Sequence, residues 1–375
     1  MKAKSLMLCV SLLVLTLTVL SCSNPREVKI AVVGPMSGPE AKIGKDILQG
    51  ATLAVEEWNA SGGVHRKKVV LVSADDGDDP KKALEAAYSI TSKRPLIVIG
   101  HVDSSCSLAA SKIYQDRHVV MISPASTAPA LTRQGFDNVH RVCGRDDRQG
   151  RAAAVWCLKN NMGDKVVVIH DDSDYGRGLA NEFKQNYEFL SNRNIALDEE
   201  VKRGDQTMAQ VLDKIKTSPD LVYFGGLYQQ GAALLRHLRQ AGITAAFMSG
   251  DGCFDEEFIT MAGPEVASGA LFTFYPDLTA MPGTKAKEFA ANYEKRFGGA
   301  PGPLSIFGYT AANVGLMAAS KAVTPLSDRT VGEAIHRLTF ETPYGLMQIN
   351  DSGDPAGFIY SVWRVRDGRF EEVGS

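Results

Sequence analysis

The strongest constraint on this chain is a rhythm: short apolar runs rich in β-branched residues alternate with stretches of helical periodicity, and the alternation repeats down most of its length. The first runs are VKIAVV at 28–33, VVLVSA at 69–74, LIVIG at 96–100 and VVMIS at 119–123, with helical patterns at 43–59, 81–92 and 105–116 between them. Four near-continuous hydrophobic runs of this kind are expected to be buried strands, as in parallel sheets covered by helices on both faces. KVVVIH at 165–170, LVYFGG at 221–226 and AFMSG at 246–250, with helices at 178–190 and 229–240, restart the pattern and predict a second lobe of the same design. After ALFTFYP at 270–276 come two or three helices and a closing strand pair, FIYSVWRV at 358–365 and RFEEV at 369–373, turning at Asp367-Gly368. The expected fold class is α/β, with two doubly wound, Rossmann-like lobes. Length agrees, since 375 residues at 44% hydrophobic can bury a large core but are too many for one ordinary domain. No low-complexity linker separates the halves, so short ordered crossovers are expected between them.

Residues 1–21 read as an export signal: Lys2 and Lys4 precede an apolar run at 6–20, and a small residue, Ser21, precedes Cys22. VLSC at 19–22 resembles a bacterial lipobox, which implies lipidation of Cys22 and a short tether at 22–27. It departs from the usual pattern in Val19 and Leu20, where Leu and a small residue are commoner. No later stretch approaches the roughly 18 apolar residues of a membrane span. The expected location is the periplasm or cell surface, with the membrane touched through the N-terminal lipid only. Losing Lys2 and Lys4 takes the formal net charge from -2 to -4, the wrong balance for neutralising phosphates, so nucleic acid is not an expected partner. Cys9 leaves with the signal. Cys106, Cys143, Cys157 and Cys253 remain, with three possible pairings and no C-x-x-C spacing to hold zinc or haem.

In open α/β sheets ligands sit beyond the carboxyl ends of the strands. At those points the chain places HVDSSCS at 101–107, SPASTAP at 123–129, HDDSDYG at 170–176 and SGDG at 249–252. The first two offer the hydroxyls of Ser104, Ser126 and Thr127, with backbone N–H groups at helix starts, to a carboxylate. The last two offer an aromatic wall, Tyr175, and an acid, Asp251, for an ammonium. Hydroxyls facing an acid describe an α-amino acid site. Each residue taken singly has a plainer reading: Ser104 and Ser105 as helix caps, Ser126 and Thr127 as turn formers before Pro129, Asp251 as a turn residue between glycines.

Several strings carry a family resemblance: AVVGPMSGP at 31–39, GHVDSS at 100–105, MISPAST at 121–127, IHDDSDYGRGLA at 169–180, VYFGG at 222–226 and GPLSIFGYTAA at 302–312. In order and spacing they are similar to the periplasmic Leu/Ile/Val-binding proteins over nearly the whole mature chain. The resemblance implies a type I periplasmic-binding-protein fold with three crossovers, near 141–146, 273–277 and 355–360. Lobe 1 would then comprise 28–143 and 276–356, and lobe 2 would comprise 144–275 and 357–375. It implies a binding protein that closes on a small amino acid and presents it to an ABC permease and ATPase complex; a monomer is the default expectation, and no enzymatic activity, cofactor or metal is expected. Ser104 and Thr127 would hold the substrate carboxylate; the Ala125 carbonyl, the Thr127 hydroxyl and Asp251 would hold the ammonium; Tyr175 would cover the ligand from the second lobe.

The departures bear on the ligand. Asp78 and Asp103 stand where the family has a disulfide, which brings two carboxylates together; like charges at short range lift one pKa unless a cation intervenes. Ile43 and Leu227 replace two pocket aromatics, and Asp251 replaces a glutamate. If Asp103 faces solvent or pairs with a base, Ile43 and Leu227 make an aliphatic pocket for Leu, Ile or Val, which is the favoured expectation. If it points inward, a polar or cationic side chain or an amide fits better. The alternative from another class is a sensing module for a receptor or chemotaxis partner.

Enzyme readings fare worse. GRGLAN at 176–181 approaches a dinucleotide fingerprint, with Asp198 at a suitable distance, but its third glycine is Asn181 and HDDSDY intervenes after the strand. There is no G-x-S-x-G elbow. DDGDD at 75–79 and DDSD at 171–174 lack EF-hand spacing and read as caps and solvated loops.

Overall fold

The computed structural model describes residues 27–202, 208–215, 218–278 and 285–374; the expected signal and Cys22 lie outside the described residues. A first, all-parallel sheet contains β1 (Glu27–Gly34), β2 (Lys68–Asp75), β3 (Ile97–Ile99), β4 (Val120–Ser123) and β5 (Val139–Arg141), ordered β2-β1-β3-β4-β5. A second sheet runs β6 (Val166–Asp171), β7 (Leu197–Val201), β8 (Leu221–Gly225), β9 (Ala246–Ser249) and β10 (Leu271–Phe274) parallel, ordered β7-β6-β8-β9-β10. The hairpin β13 (Ser361–Arg366) and β14 (Arg369–Gly374) extends it antiparallel beyond β10. Both parallel sets have the same doubly wound order, so each has a switch point beside its first strand, at β1/β3 and at β6/β8, where adjacent connections leave to opposite faces and open a crevice.

Local causes fix the helices that flank these crevices. In α1 (Ala41–Ala60), Ile47, Gly50, Ala51 and Ala54 turn inward, and α2 (Pro80–Ser92) starts on Asp79, whose side chain accepts from Lys81 N at 2.7 Å. Asp103 caps α3 (Ser104–Asp116). The helix expected from 178 begins earlier, as α5 (Asp174–Ser191), because the Ser173 hydroxyl accepts from Gly176 N at 2.9 Å. Gly176 belongs to packing, since a Cβ there would lie 2.6 Å from the Gly225 carbonyl oxygen of β8.

Five strands differ from expectation. β2 alternates exposed and covered residues because it is the sheet edge, so it is not buried on both faces. β7 (LDEEV) and the three-residue β5 are edge strands too, and edges need no apolar run to signal them. A small separate hairpin, β11 (Thr339–Thr342) and β12 (Gly345–Gln348), lies outside both sheets.

The chain passes between the sheets three times: after Arg141 into α4 (Asp146–Lys159), which packs on α5; after Phe274; and before Ser361. Beyond Phe274, α6 (Ala286–Phe297) returns to the first sheet's side, where Arg296 pairs with Glu56 of α1 at 2.6 Å and Tyr293 donates to Gln49. The helix α7 (Ser305–Lys321) packs along α1. The crossings meet at Tyr275, whose hydroxyl accepts from Gly144 N at 2.9 Å and whose ring lies 5.3 Å from that of Tyr360. Arg141, fully buried, is 2.9 Å from Asp354, which also holds Arg145 at 2.7 Å, so the first and third crossings are tied by charge as well. Cys106, Cys143, Cys157 and Cys253 are all free and buried.

Candidate functional site

The functional candidate is a cavity between the sheets at the carboxyl ends of their strands. One wall comes from the first sheet's loops, with Ile43, Val102, Asp103, Ser104 and Ala125. The other comes from the second sheet's loops, with Tyr175, Leu227, Tyr228 and Asp251. Every one of these residues sits just after a strand or on the first turns of the helix that follows, and the two switch points supply most of them. The sequence reading singled out Ile43, Asp103, Ser104, Ala125, Tyr175, Leu227 and Asp251, and all seven are on this wall.

Ser126 and Thr127 are not on it. Ser126 turns into the first lobe, where its hydroxyl donates to the Val102 carbonyl at 2.9 Å and meets Ser107 at 2.5 Å. Thr127 is fully buried beside Asp146, whose backbone N–H donates to the Thr127 carbonyl at 3.0 Å. Arg141 braces this loop from behind by donating to the Ser126 and Ala128 carbonyls, at 2.5 and 2.9 Å.

Ser104 is 1% exposed, and its hydroxyl oxygen accepts from Ala128 N at 3.3 Å, which leaves its proton for a partner on the cavity side. The helix start offers less than the sequence suggested, because the Asp103 carboxylate already accepts from Ser105 N and Cys106 N at 2.8 and 3.3 Å. Asp103 is therefore a cap and a wall residue at once. Asp78 lies beside it, and their carboxylates and the Cys106 sulfur are within 4.8 Å of one another. Burial and the surrounding aspartates push the Cys106 thiol far up, so it stays protonated and is a poor metal ligand.

Across the cavity, Tyr175 donates to Asp251 Oδ1 at 2.7 Å and accepts from Gly252 N at 2.9 Å. That bond fixes the Asp251 carboxylate on the wall. Burial raises the Asp251 pKa, against the hydrogen bonds that lower it. Behind it Asp146, fully buried at the start of α4, is raised well above the usual carboxylate range by burial and then by the Asp251 charge. Neither Asp146 oxygen has a well-aligned hydrogen bond, although the Thr127 hydroxyl lies close enough to ease the charge. Two desolvated acids side by side favour a cation between or beside them.

Sequence reasoning missed Asp146 and a second acid, Asp46. Asp46 occupies the inward face of α1 with Ile43, Ile47 and Gly50, and a lone carboxylate on an apolar helix face was the available signal. Asp146 gave none, since it reads as an ordinary acid in a first helical turn. The walls also meet directly. Lys42 Nζ is 2.5 Å from Asp255 Oδ1, Asp174 N donates to the Ser105 hydroxyl at 3.3 Å, and Gln229 donates to the Pro39 carbonyl at 3.5 Å.

A family model described as periplasmic binding protein matches residues 27–368. The Leu/Ile/Val-binding protein homolog 1 of Brucella suis is 32% identical over 355 residues, covering 92% of this chain and 93% of that one. The leucine-, isoleucine-, valine-, threonine- and alanine-binding protein of Pseudomonas aeruginosa is 33% identical over 340 residues, covering 90% and 89%. Among solved structures, the leucine-binding protein LivK of Thermotoga maritima superposes with a TM-score of 0.84 at 33% identity, covering 92% of this chain and 98% of that one. LivJ of Streptococcus pneumoniae, solved with isoleucine, gives 0.84 at 25% identity, covering 93% and 100%.

Proposed function

The chain belongs to the periplasmic binding protein family, and from that premise we propose that it is an extracytoplasmic solute-binding lipoprotein, anchored through Cys22, which closes on an α-amino acid and presents it to an ABC importer. One observation carries the reading: a hydroxyl free to donate, on Ser104, faces a carboxylate held in place, on Asp251, across a cavity that two lobes close from opposite sides. The Ser104 hydroxyl receives the ligand carboxylate. Asp251 and the Ala125 carbonyl receive the ammonium, and Tyr175 aligns Asp251 and roofs the site. Thr127 acts from behind, through Asp146, in place of the direct contact its position in the sequence suggested. Ile43, Leu227, Tyr228, Phe254 and Phe307 supply an apolar sleeve for an aliphatic side chain. The names of the relatives support this, since the Brucella protein is named for leucine, isoleucine and valine and the Pseudomonas protein for these with threonine and alanine.

Closure supplies the mechanism. Contacts such as Lys42 to Asp255 and Ser105 to Asp174 exist only while the walls face each other, and a ligand that touches both walls shifts the population toward that form. A permease that reads the closed shape then receives loaded protein only. The proposed lobes, 28–143 with 276–356 and 144–275 with 357–375, turn about the crossings gathered at Tyr275. The test is a thermal-shift screen of the twenty amino acids on the mature protein. A ligand at about a hundred times its Kd stabilises the folded state by about 2.7 kcal/mol, so at least one amino acid should raise the melting temperature by several degrees. No shift with any of them contradicts the reading.

A further inference from the structure

The same cavity is acidic in a way an aliphatic ligand does not explain. Glu40, Asp46, Asp78, Asp103, Asp251 and Asp255 all line it, and among the described residues no lysine, arginine or histidine does. Asp251 serves the ammonium, Asp103 is engaged as a helix cap beside Asp78, and Asp255 holds Lys42 at 2.5 Å. Asp46 is different. It is 8% exposed and lies on the cavity wall, and no hydrogen bond or ion pair to it is found among the described residues. Its carboxylate rests against Gly302, where a Cβ would come within 1.8 Å of Oδ2, so even the neighbouring backbone is kept bare to make room for it.

We propose that the ligand is an α-amino acid whose aliphatic side chain ends in a cation, an ammonium or a guanidinium, held by Asp46 with Glu40 and Asp255 around it. The inference rests on the amino acid reading of the cleft and specifies its other end. The apolar sleeve takes the methylene stem, and the acids take the head. Closing the lobes on leucine or valine would seal the Asp46 carboxylate against hydrocarbon, which is costly for an ionised group, whereas a cationic head turns the same burial into a charge pair. Lys42 does not supply that head. It is 41% exposed and bound to Asp255 on the opposite wall. Burial lifts the Asp46 pKa to about 6, with Lys42 and Lys45 on its own helix lowering it and Asp255 from the facing wall raising it, as befits an acid awaiting a countercharge.

Calorimetry at pH 7.5 on the mature protein decides the matter with two sets of ligands: ornithine, lysine and arginine against leucine, isoleucine and valine, all as L-amino acids. The best cationic ligand should bind about tenfold more tightly than the best aliphatic one, or better. Asp46→Asn, checked for an unchanged circular dichroism spectrum, should shrink that preference by about tenfold. Aliphatic ligands that bind as tightly as the cationic set in the natural protein overturn this inference while leaving the amino acid reading intact. If neither set binds, the amino acid reading itself falls, and this one with it.

Discussion

The two walls of the cavity are built from opposite kinds of chemistry. Asp46 apart, the first lobe's wall is held by groups that already have partners. Asp103 caps α3 on the wall itself, and behind it Ser123 donates to the His101 carbonyl, Ser126 donates to the Val102 carbonyl and meets Ser107, and Arg141 holds the 126–128 loop. The second lobe's wall holds acids out of water, Asp251 on the surface and Asp146 beneath it, both with raised pKa values. One wall is a finished frame, and the other carries an electrostatic strain that a bound cation relieves. A two-walled site of this kind has a reason to stay open when empty and to shut when filled.

Removing the strained acid breaks the contrast most sharply. Asp251→Ala should weaken amino acid binding by roughly 2 to 5 kcal/mol, because the ammonium would be desolvated without its charge partner, and unchanged affinity in calorimetry removes Asp251 from the site.

Changing pH sharpens it next. A carboxyl whose pKa is raised by folding favours the folded state while protonated and opposes it once ionised. Asp46 rises from 3.8 to about 6, and Asp251 and Asp146 also rise, so stability of the ligand-free protein is lost as pH climbs through that window. The Asp46 contribution is at most about 3 kcal/mol. The melting temperature of ligand-free protein should fall more between pH 5 and pH 8 than that of Asp46→Asn, and equal falls contradict the strain on these acids.

Smaller changes compare the walls residue by residue. Tyr175→Phe frees the Asp251 carboxylate and leaves Gly252 N without its acceptor, so affinity should fall by about 1 to 2 kcal/mol with the fold intact. Ser104→Ala removes a single neutral donor from the finished wall and should cost about 0.5 to 1.5 kcal/mol of affinity. A larger loss at Ser104 than at Asp251 reverses the assignment of roles to the two walls.

The same contrast governs what could be read from the sequence. The first wall is made of local devices, such as hydroxyls after strands and an acid before a helix, and Ser104, Ala125 and Asp103 stood out because each lies within a few residues of the strand that positions it. The interior parallel strands were legible for the same reason, since β1, β3, β4, β6 and β8 are built on near-continuous apolar runs. Edge strands such as β7, with its charged LDEEV, gave no such signal. Asp146 escaped because its importance comes from residues far along the chain, with Asp251 supplying the charge and Arg141 and Thr127 closing over it. Thr127 and Ser126 show the reverse error. Their hydroxyls look available in a loop sequence, and only packing reveals that Ser126 bonds inward and Thr127 sits behind the wall. Asp46 is the intermediate case, on a helix whose inward face is otherwise apolar.

The central claim, that a zwitterion is gripped between a hydroxyl wall and an acidic one, is tested most directly by a crystal structure of the complex with the tightest-binding amino acid. The account predicts the α-ammonium nitrogen within about 3 Å of an Asp251 carboxylate oxygen and the α-carboxylate at a similar distance from the Ser104 hydroxyl. A ligand bound elsewhere, or reversed so that its α-carboxylate faces Ile43 and Asp46, contradicts it.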